Sequence, residues 1–302
     1  MSEQLEEPDA LIWVDLCAPD TADLKQLAGE LGLHALAVED AVNARQRPKL
    51  DRYDDHSFLS AYSATFDPET AELSHSEIAA FITPRALVTV RKDEGFDLTP
   101  VVARWDASPD LAKHGVAFLL HGLLDYVVDG YFEAVQSLDD EIELLEDQLF
   151  VVTAKQEDVQ RRSYELRKSL VVLRRVVLPM REVVNTLLRR DLHLVDEAMG
   201  PYFQDVYDHV LRATEWTDSL RDLVTSILET NLTIQGNRLN IITKKVTSYA
   251  AIIAVPTAIT GFYGQNVPYP GFSHQSGFFS SSVLIVGLSA LLYFMFRRND
   301  WL

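Results

Sequence analysis

The sequence predicts an α+β cytosolic domain, in which a small mixed β-sheet gives way to long helices, followed by two transmembrane α-helices. Three observations lead there. Charge is confined to one part of the chain: among its 302 residues, Val246 to Phe296 contain no Asp, Glu, Lys or Arg. The first hundred residues alternate β-rich runs with helical ones, whereas the next hundred and forty are almost free of helix breakers. Finally, a 3,4,3,4 spacing of mostly apolar residues runs from Phe203 to Ile241, the period of a helix with one buried seam.

Taken in order, Ala10–Leu16, Ser57–Ala64, Glu77–Thr83 and Ala86–Arg91 have the β-branched and aromatic content of strands. Thr21–Leu31 and Ala35–Val42 have helical periodicity, with Asp20 or Thr21 as the N-cap of the first. Leu119–Leu149, Lys155–Arg190 and Pro201–Lys245 are expected to be long helices, with Pro179 the main interruption. The seam of the last comprises Phe203, Val206, Val210, Ala213, Thr217, Leu220, Val224, Ile227, Asn231, Ile234, Arg238 and Ile241. It runs without a stop into the first apolar segment, so a single helix of about 60 residues, about 90 Å long, is expected. The resulting division is 1–108, an α/β domain; 109–200, a long-helix hairpin; 201–263, a stalk continuing into the first span. After it come 264–277, an outer loop; 278–296, the second span; and 297–302, a basic tail.

A bilayer needs about 20 mostly apolar residues per helix. Val246–Tyr263 and Phe278–Phe296 supply two such segments, joined by a loop rich in Gly, Pro and aromatic residues. Arg238, Lys244 and Lys245 precede the first, Arg297 and Arg298 follow the second, and the loop has no cation, which places both termini in the cytoplasm of a cell membrane protein. The competing structure, a buried hairpin of a soluble protein, seldom goes so far without a charge. The first span carries Thr247, Ser248, Thr257, Thr260 and Pro256. Such groups face protein or water rather than lipid, as pore lining or as contacts between helices.

The net charge is −18, with −19 in the first 245 residues and +1 in the rest. Such a surface repels nucleic acid and gathers cations. The lone Cys17 excludes an intrachain disulfide and fits a reducing compartment. The acidic start of the chain has no signal-peptide character. No glycine-rich phosphate loop, HExxH or GxSxG is present, so neither an enzyme nor an organic cofactor is indicated. The acidic run Asp139, Asp140, Glu141, Glu143, Glu146 and Asp147 has the pattern of a solvated helix face.

Tyr263-Gly264-Gln265-Asn266 stands at the outer end of the first span, and there the sequence resembles the CorA family of magnesium channels, which carries a Tyr-Gly-Met-Asn type motif. The resemblance extends through Gly32-Leu33-His34 with Glu39-Asp40, Arg47 to His56, Pro201 to His209, and the ending Arg297-Arg298-Asn299-Asp300-Trp301-Leu302. It implies a funnel-shaped homopentamer in the bilayer, with the first span lining the pore and a cytosolic domain that senses Mg²⁺. It further implies a selectivity filter at Gly264, Gln265 and Asn266, and a pore face and apolar gate at Thr247, Ala251 and Val255. A regulatory Mg²⁺ would sit between subunits at Asp205, with a partner carboxylate from Asp93, Glu94 or Asp97.

Two departures bear on the ion. Gln265 replaces methionine, and the outer loop Val267-Pro268-Tyr269-Pro270-Gly271-Phe272 has no carboxylate. Mg²⁺ is the expected substrate, with Co²⁺ or Ni²⁺ as hydrated mimics. The family's Zn²⁺ branch is the first alternative, with His274 the only imidazole near the mouth, and a non-conducting membrane-anchored sensor or scaffold the second.

Overall fold

The computed structural model describes residues 11–43, 47–149, 156–189, 194–265, 268–269 and 271–302. They form β1 (Ile12–Cys17), α1 (Thr21–Leu31), α2 (Ala35–Val42), β2 (Lys49–Arg52), β3 (Ser57–Asp67), β4 (Glu72–Ile82) and β5 (Ala86–Arg91). After these come α3 (Thr99–Ala107), a 3-10 turn (Pro109–His114), α4 (Val116–Leu149), α5 (Gln156–Leu187), α6 (Gly200–Tyr263) and α7 (Gln275–Arg298). Two compact units result, Met1–Leu228 and Glu229–Leu302.

In the first unit a five-stranded sheet has the order β1-β5-β4-β3-β2, with β1 parallel to β5 and every other pair antiparallel. The two-residue alternation of the strands gives the sheet two apolar faces. Phe58, Ala79, Phe81, Val88 and Val90 pack with Leu24, Leu27 and Val38 of α1 and α2. Leu59, Ala61, Ala80 and Leu87 point the other way, into a core shared with α4, α5 and the start of α6. Tyr131, fully buried on α4, ties this layer down by donating its hydroxyl to the Tyr62 carbonyl at 2.6 Å. The parallel pair is clamped at its end, where the Arg91 guanidinium takes both oxygens of Asp15, 2.6 Å at the closest.

The caps explain the short helices. Asp20 accepts from the Ala22 and Asp23 amides while Asp23 returns a bond to the Asp20 amide, a reciprocal capping box. Gly32 then ends α1 at φ +68°, a left-handed conformation that glycine adopts without strain. His34 caps α2 by accepting from the Leu36 amide.

Several elements depart from the expectations. β2 was not anticipated because Lys-Leu-Asp-Arg has a single apolar residue, which is what an edge strand tolerates. Nor was α3, whose buried face is only Val101 and Trp105. Pro179 does not interrupt α5, which is continuous from Gln156 to Leu187 with the proline inside it. Neighbouring packing holds Val176, Val177 and Met180 fully or nearly fully buried, and this outweighs one lost hydrogen bond. The seam of α6 holds as expected through the first unit, where Phe203, Val206, Val210, Ala213, Thr217, Leu220, Val224 and Ile227 are all buried.

Trp105 is pinned by its indole N–H to the Leu119 carbonyl and lies directly over Gly122 of α4, where a Cβ would meet the indole ring. Gly122→Ala should therefore destabilise the soluble unit by about 1–3 kcal/mol through overpacking. Thermal unfolding followed by near-ultraviolet circular dichroism checks this; an unchanged midpoint would contradict the packing.

Candidate functional site

α6 is unbroken from Gly200 to Tyr263, so one helix bears the expected regulatory carboxylate near its start and the expected pore residues near its end. Its most apolar window has a mean hydropathy of 1.4 and is 6% buried within the chain; that of α7 has 2.0 and is 0% buried. A core hairpin of a soluble protein would be covered, and these helices are not. Four-residue spacing puts Thr247, Ala251 and Val255 on one stripe of α6.

Three hydroxyls of the span are spent on its own backbone. Ser248 donates to the Lys244 carbonyl at 2.8 Å, Thr257 to that of Ile253 at 2.9 Å and Thr260 to that of Pro256 at 2.8 Å. A hydroxyl so engaged is compatible with apolar surroundings. Pro256 has no N–H to offer the Ile252 carbonyl, so an oxygen is released about three turns before the end of the helix.

At the mouth, the Gly264 amide still bonds the Thr260 carbonyl at 2.9 Å and the Gln265 amide that of Phe262 at 3.3 Å. A Cβ on Gly264 would stand 2.9 Å from the Thr260 carbonyl oxygen, which is why glycine is required at this close approach. Gln265 is exposed, and Asn266, the third expected filter residue, lies outside the described residues. Two features here were not legible in advance. Tyr269 donates its hydroxyl to the Tyr263 carbonyl at 2.8 Å, and its ring meets that of Tyr263 edge-on at 5.0 Å and Phe272 at 5.2 Å. This hydrogen bond ties Tyr269 back to the last residue of α6. Next to it, Gly271 at φ +87° and Gly277 at the start of α7 pack so tightly that a Cβ on either would collide with the other's backbone.

On the soluble side, Asp205 is exposed, with the His209 imidazole at 3.8 Å. His121 faces it from α4, ringed by Tyr202 and Phe203, and burial holds its pKa below the ordinary value despite the pull of Asp125 and Asp205. Beside it, Arg104 of α3 bridges Asp125 and Asp129, an arrangement with no sequence signal because its members are 21 and 25 residues apart.

The other expected carboxylates lie on the loop after β5. Asp97 accepts from the Thr99 amide at 2.9 Å and the Thr99 hydroxyl at 2.7 Å, and these bonds hold its carboxyl below the usual range. Asp93 accepts from the Gly95 amide at 2.8 Å and the Ser76 hydroxyl at 3.3 Å, and Glu94 is exposed. These are hard oxygen ligands of the kind Mg²⁺ takes. Among the described residues, however, no three His, Cys, Asp or Glu side chains converge on a position that could hold a metal. One chain thus presents separate carboxylates rather than a finished site.

Comparison with known proteins places these features in context. The cobalt/magnesium transport protein CorA of Thermotoga maritima is 29% identical over 293 residues, covering 96% of this chain and 83% of its own. The zinc transport protein ZntB of Yersinia pseudotuberculosis is 24% identical over 306 residues, covering 96% and 86%. The complete structure of the CorA magnesium transporter from Methanocaldococcus jannaschii superposes with a TM-score of 0.81 at 25% identity, over 97% of this chain and 92% of that one. The family model described as CorA-like Mg2+ transporter protein matches residues 8–298. With nearly its whole length matched, the chain belongs to the CorA-like family of divalent metal transporters.

Proposed function

We propose that the chain is one subunit of a homopentameric Mg²⁺ channel of the cytoplasmic membrane, funnel-shaped, with both termini in the cytoplasm and closure driven by cytosolic Mg²⁺. The observation that carries this reading is the single helix α6, which joins Asp205 to Tyr263-Gly264-Gln265 with no intervening loop. Two apolar helices do not enclose a pore, so a ring of subunits is required. The exposed Leu232, Leu239, Ile241 and Ile242 of α6 supply uncovered apolar surface for such an assembly.

Mg²⁺ dehydrates reluctantly, so a filter suited to it presents neutral oxygens to the water shell. Carbonyls around Gly264 with the side chains of Gln265 and Asn266 are groups of that kind. Deeper in, Val255 and Ala251, with Thr247 below them, form the apolar stripe at which the pore dewets when narrow. Asp205 of one subunit and a carboxylate among Asp93, Glu94 and Asp97 of the next repel until cytosolic Mg²⁺ bridges them, which holds the ring closed. Mg²⁺ is the substrate and, in the cytosol, the regulator; Co²⁺ and Ni²⁺ pass as mimics of the hydrated ion.

Zinc transport is the second reading, favoured by the similarity to ZntB. His274 is the imidazole nearest the mouth in sequence; its Nδ1 lies 3.1 Å from the Phe272 carbonyl. The test is uptake into liposomes bearing the purified chain and loaded with a magnesium-sensitive or a zinc-sensitive dye. Potential-driven Mg²⁺ entry, falling at least about tenfold in Asn266→Ala, is expected; zinc entry without magnesium would move the chain to the second reading.

Two variants probe the remaining parts. Val255→Asp should leak ions under closing concentrations of Mg²⁺, because a carboxylate rehydrates the apolar constriction; flux identical to the parent would remove Val255 from the gate. Asp205→Ala should shift half-inhibition by internal Mg²⁺ upward by about an order of magnitude, the loss of one charged ligand. Equal inhibition would exclude the site.

A further inference from the structure

A groove of about 740 Å³ opens in the soluble unit between α5 and the strands β3 and β4, within the range that accommodates small ligands. Its charge is opposite to that of the chain. Arg47 reaches it from the segment before β2, Lys92 from the end of β5, and Arg174 and Arg175 from α5, against two carboxylates, Glu77 and Asp93. In a protein of net charge −18, four cations from three separate elements around one concavity are a local reversal of potential that focuses on anions.

The cations differ in how they are held. Arg174 is anchored to Asp218 of α6 at 2.6 Å, and Lys92 donates to the Ala41 carbonyl, so these two are fixed in place. Arg47 and Arg175 are exposed and, among the described residues, form no ion pair. Of the carboxylates, Glu77 is buried on the floor and engaged by the Tyr62 hydroxyl. Asp93 is held at the rim by Ser76. Guanidinium groups fit tetrahedral oxyanions through paired N–H donors, and two such groups with no partner flanking two anchored cations suit a ligand with several phosphate oxygens.

We propose that this groove is an effector site for a phosphate-bearing anion of nucleotide size, gripped by Arg47 and Arg175 with Lys92 and Arg174 behind them. Because Lys92 and Asp93 begin the loop that continues through Glu94 to Asp97, an occupant reports directly to that loop; the site itself does not depend on the loop's part in Mg²⁺ sensing. The experiment uses the full chain in lipid nanodiscs, titrated calorimetrically at fixed ionic strength with inorganic phosphate, tripolyphosphate and ATP. Saturable binding near one per chain is expected for tripolyphosphate or ATP, weakened at least about tenfold in the Arg47→Ala/Arg175→Ala double variant and unchanged when Lys25 and Arg161 are removed instead. Tighter binding of ATP than of tripolyphosphate assigns the nucleoside a contact; equal binding assigns recognition to the phosphates alone. Absence of saturable binding, equal binding by the double variant, or a changed subunit number in that variant would overturn the proposal, the last because the arginines would then face a second copy. Basal Mg²⁺ uptake without phosphate compounds should be the same in parent and double variant, which separates failure of this site from failure of the channel reading.

Discussion

The seam of α6 is the constraint on which the other elements depend. Eight of its positions, from Phe203 to Ile227, are 3% exposed or less, and the seven apolar ones belong to the same core as α4, α5 and one face of the sheet. Burying a large aliphatic side chain contributes about 1.5–3 kcal/mol, so this row fixes the rotation of α6 about its axis over seven turns. The polar break at Thr217 adds no unsatisfied group, since its hydroxyl donates to the Ala213 carbonyl at 2.7 Å. An unbroken hydrogen-bonded helix transmits a displacement that a loop would absorb. Pro256 is the sole place beyond Asp205 in α6 where the backbone ladder lacks a donor.

Electrostatics divide the same helix into two regimes. The first unit carries carboxylates engaged by backbone amides or arginines: Asp97 under Thr99, Asp15 with Arg91, Asp125 and Asp129 with Arg104. The apolar segments carry no charge, and the hydroxyls of Ser248, Thr257 and Thr260 are turned back onto their own carbonyls. A divalent ion crossing such a span meets neither a strong ligand nor a fixed countercharge. That arrangement suits an ion that travels with its water.

How much of this was legible in the sequence depended on whether a feature was local. α1 and α2 were delimited from periodicity and caps, and the two spans from the absence of charge, because each signal lies within one segment. Pro179 misled because propensity speaks of an isolated helix, whereas Val176, Val177 and Met180 are secured by tertiary packing. β2 is recognisable only through its pairing with β3, as Leu50 opposite Leu59. The filter and the regulatory role proposed for Asp205 rest on resemblance to a family. Arg104 with Asp125 and Asp129, and the strap from Tyr269 to Tyr263, join residues whose identities follow no pattern, so nothing in the sequence announced them.

The strap bears on the unusual residue of the motif. With the Tyr263 carbonyl held by Tyr269 and the Gln265 amide held by the Phe262 carbonyl, the backbone at the mouth is fixed by contacts that do not involve the Gln265 side chain. Gln265 is therefore free to change chemistry without changing the turn. Where the family motif has a thioether, a soft and weak acceptor, this chain has an amide whose oxygen is hard and whose N–H₂ donates. Soft ligation would favour zinc; an amide oxygen instead hydrogen-bonds the water around a hydrated ion. In the proposed channel the substitution by itself thus moves the filter toward recognition of hydration shells, and with no carboxylate in Val267 to Phe272 to gather cations, that recognition would rest on neutral oxygens alone.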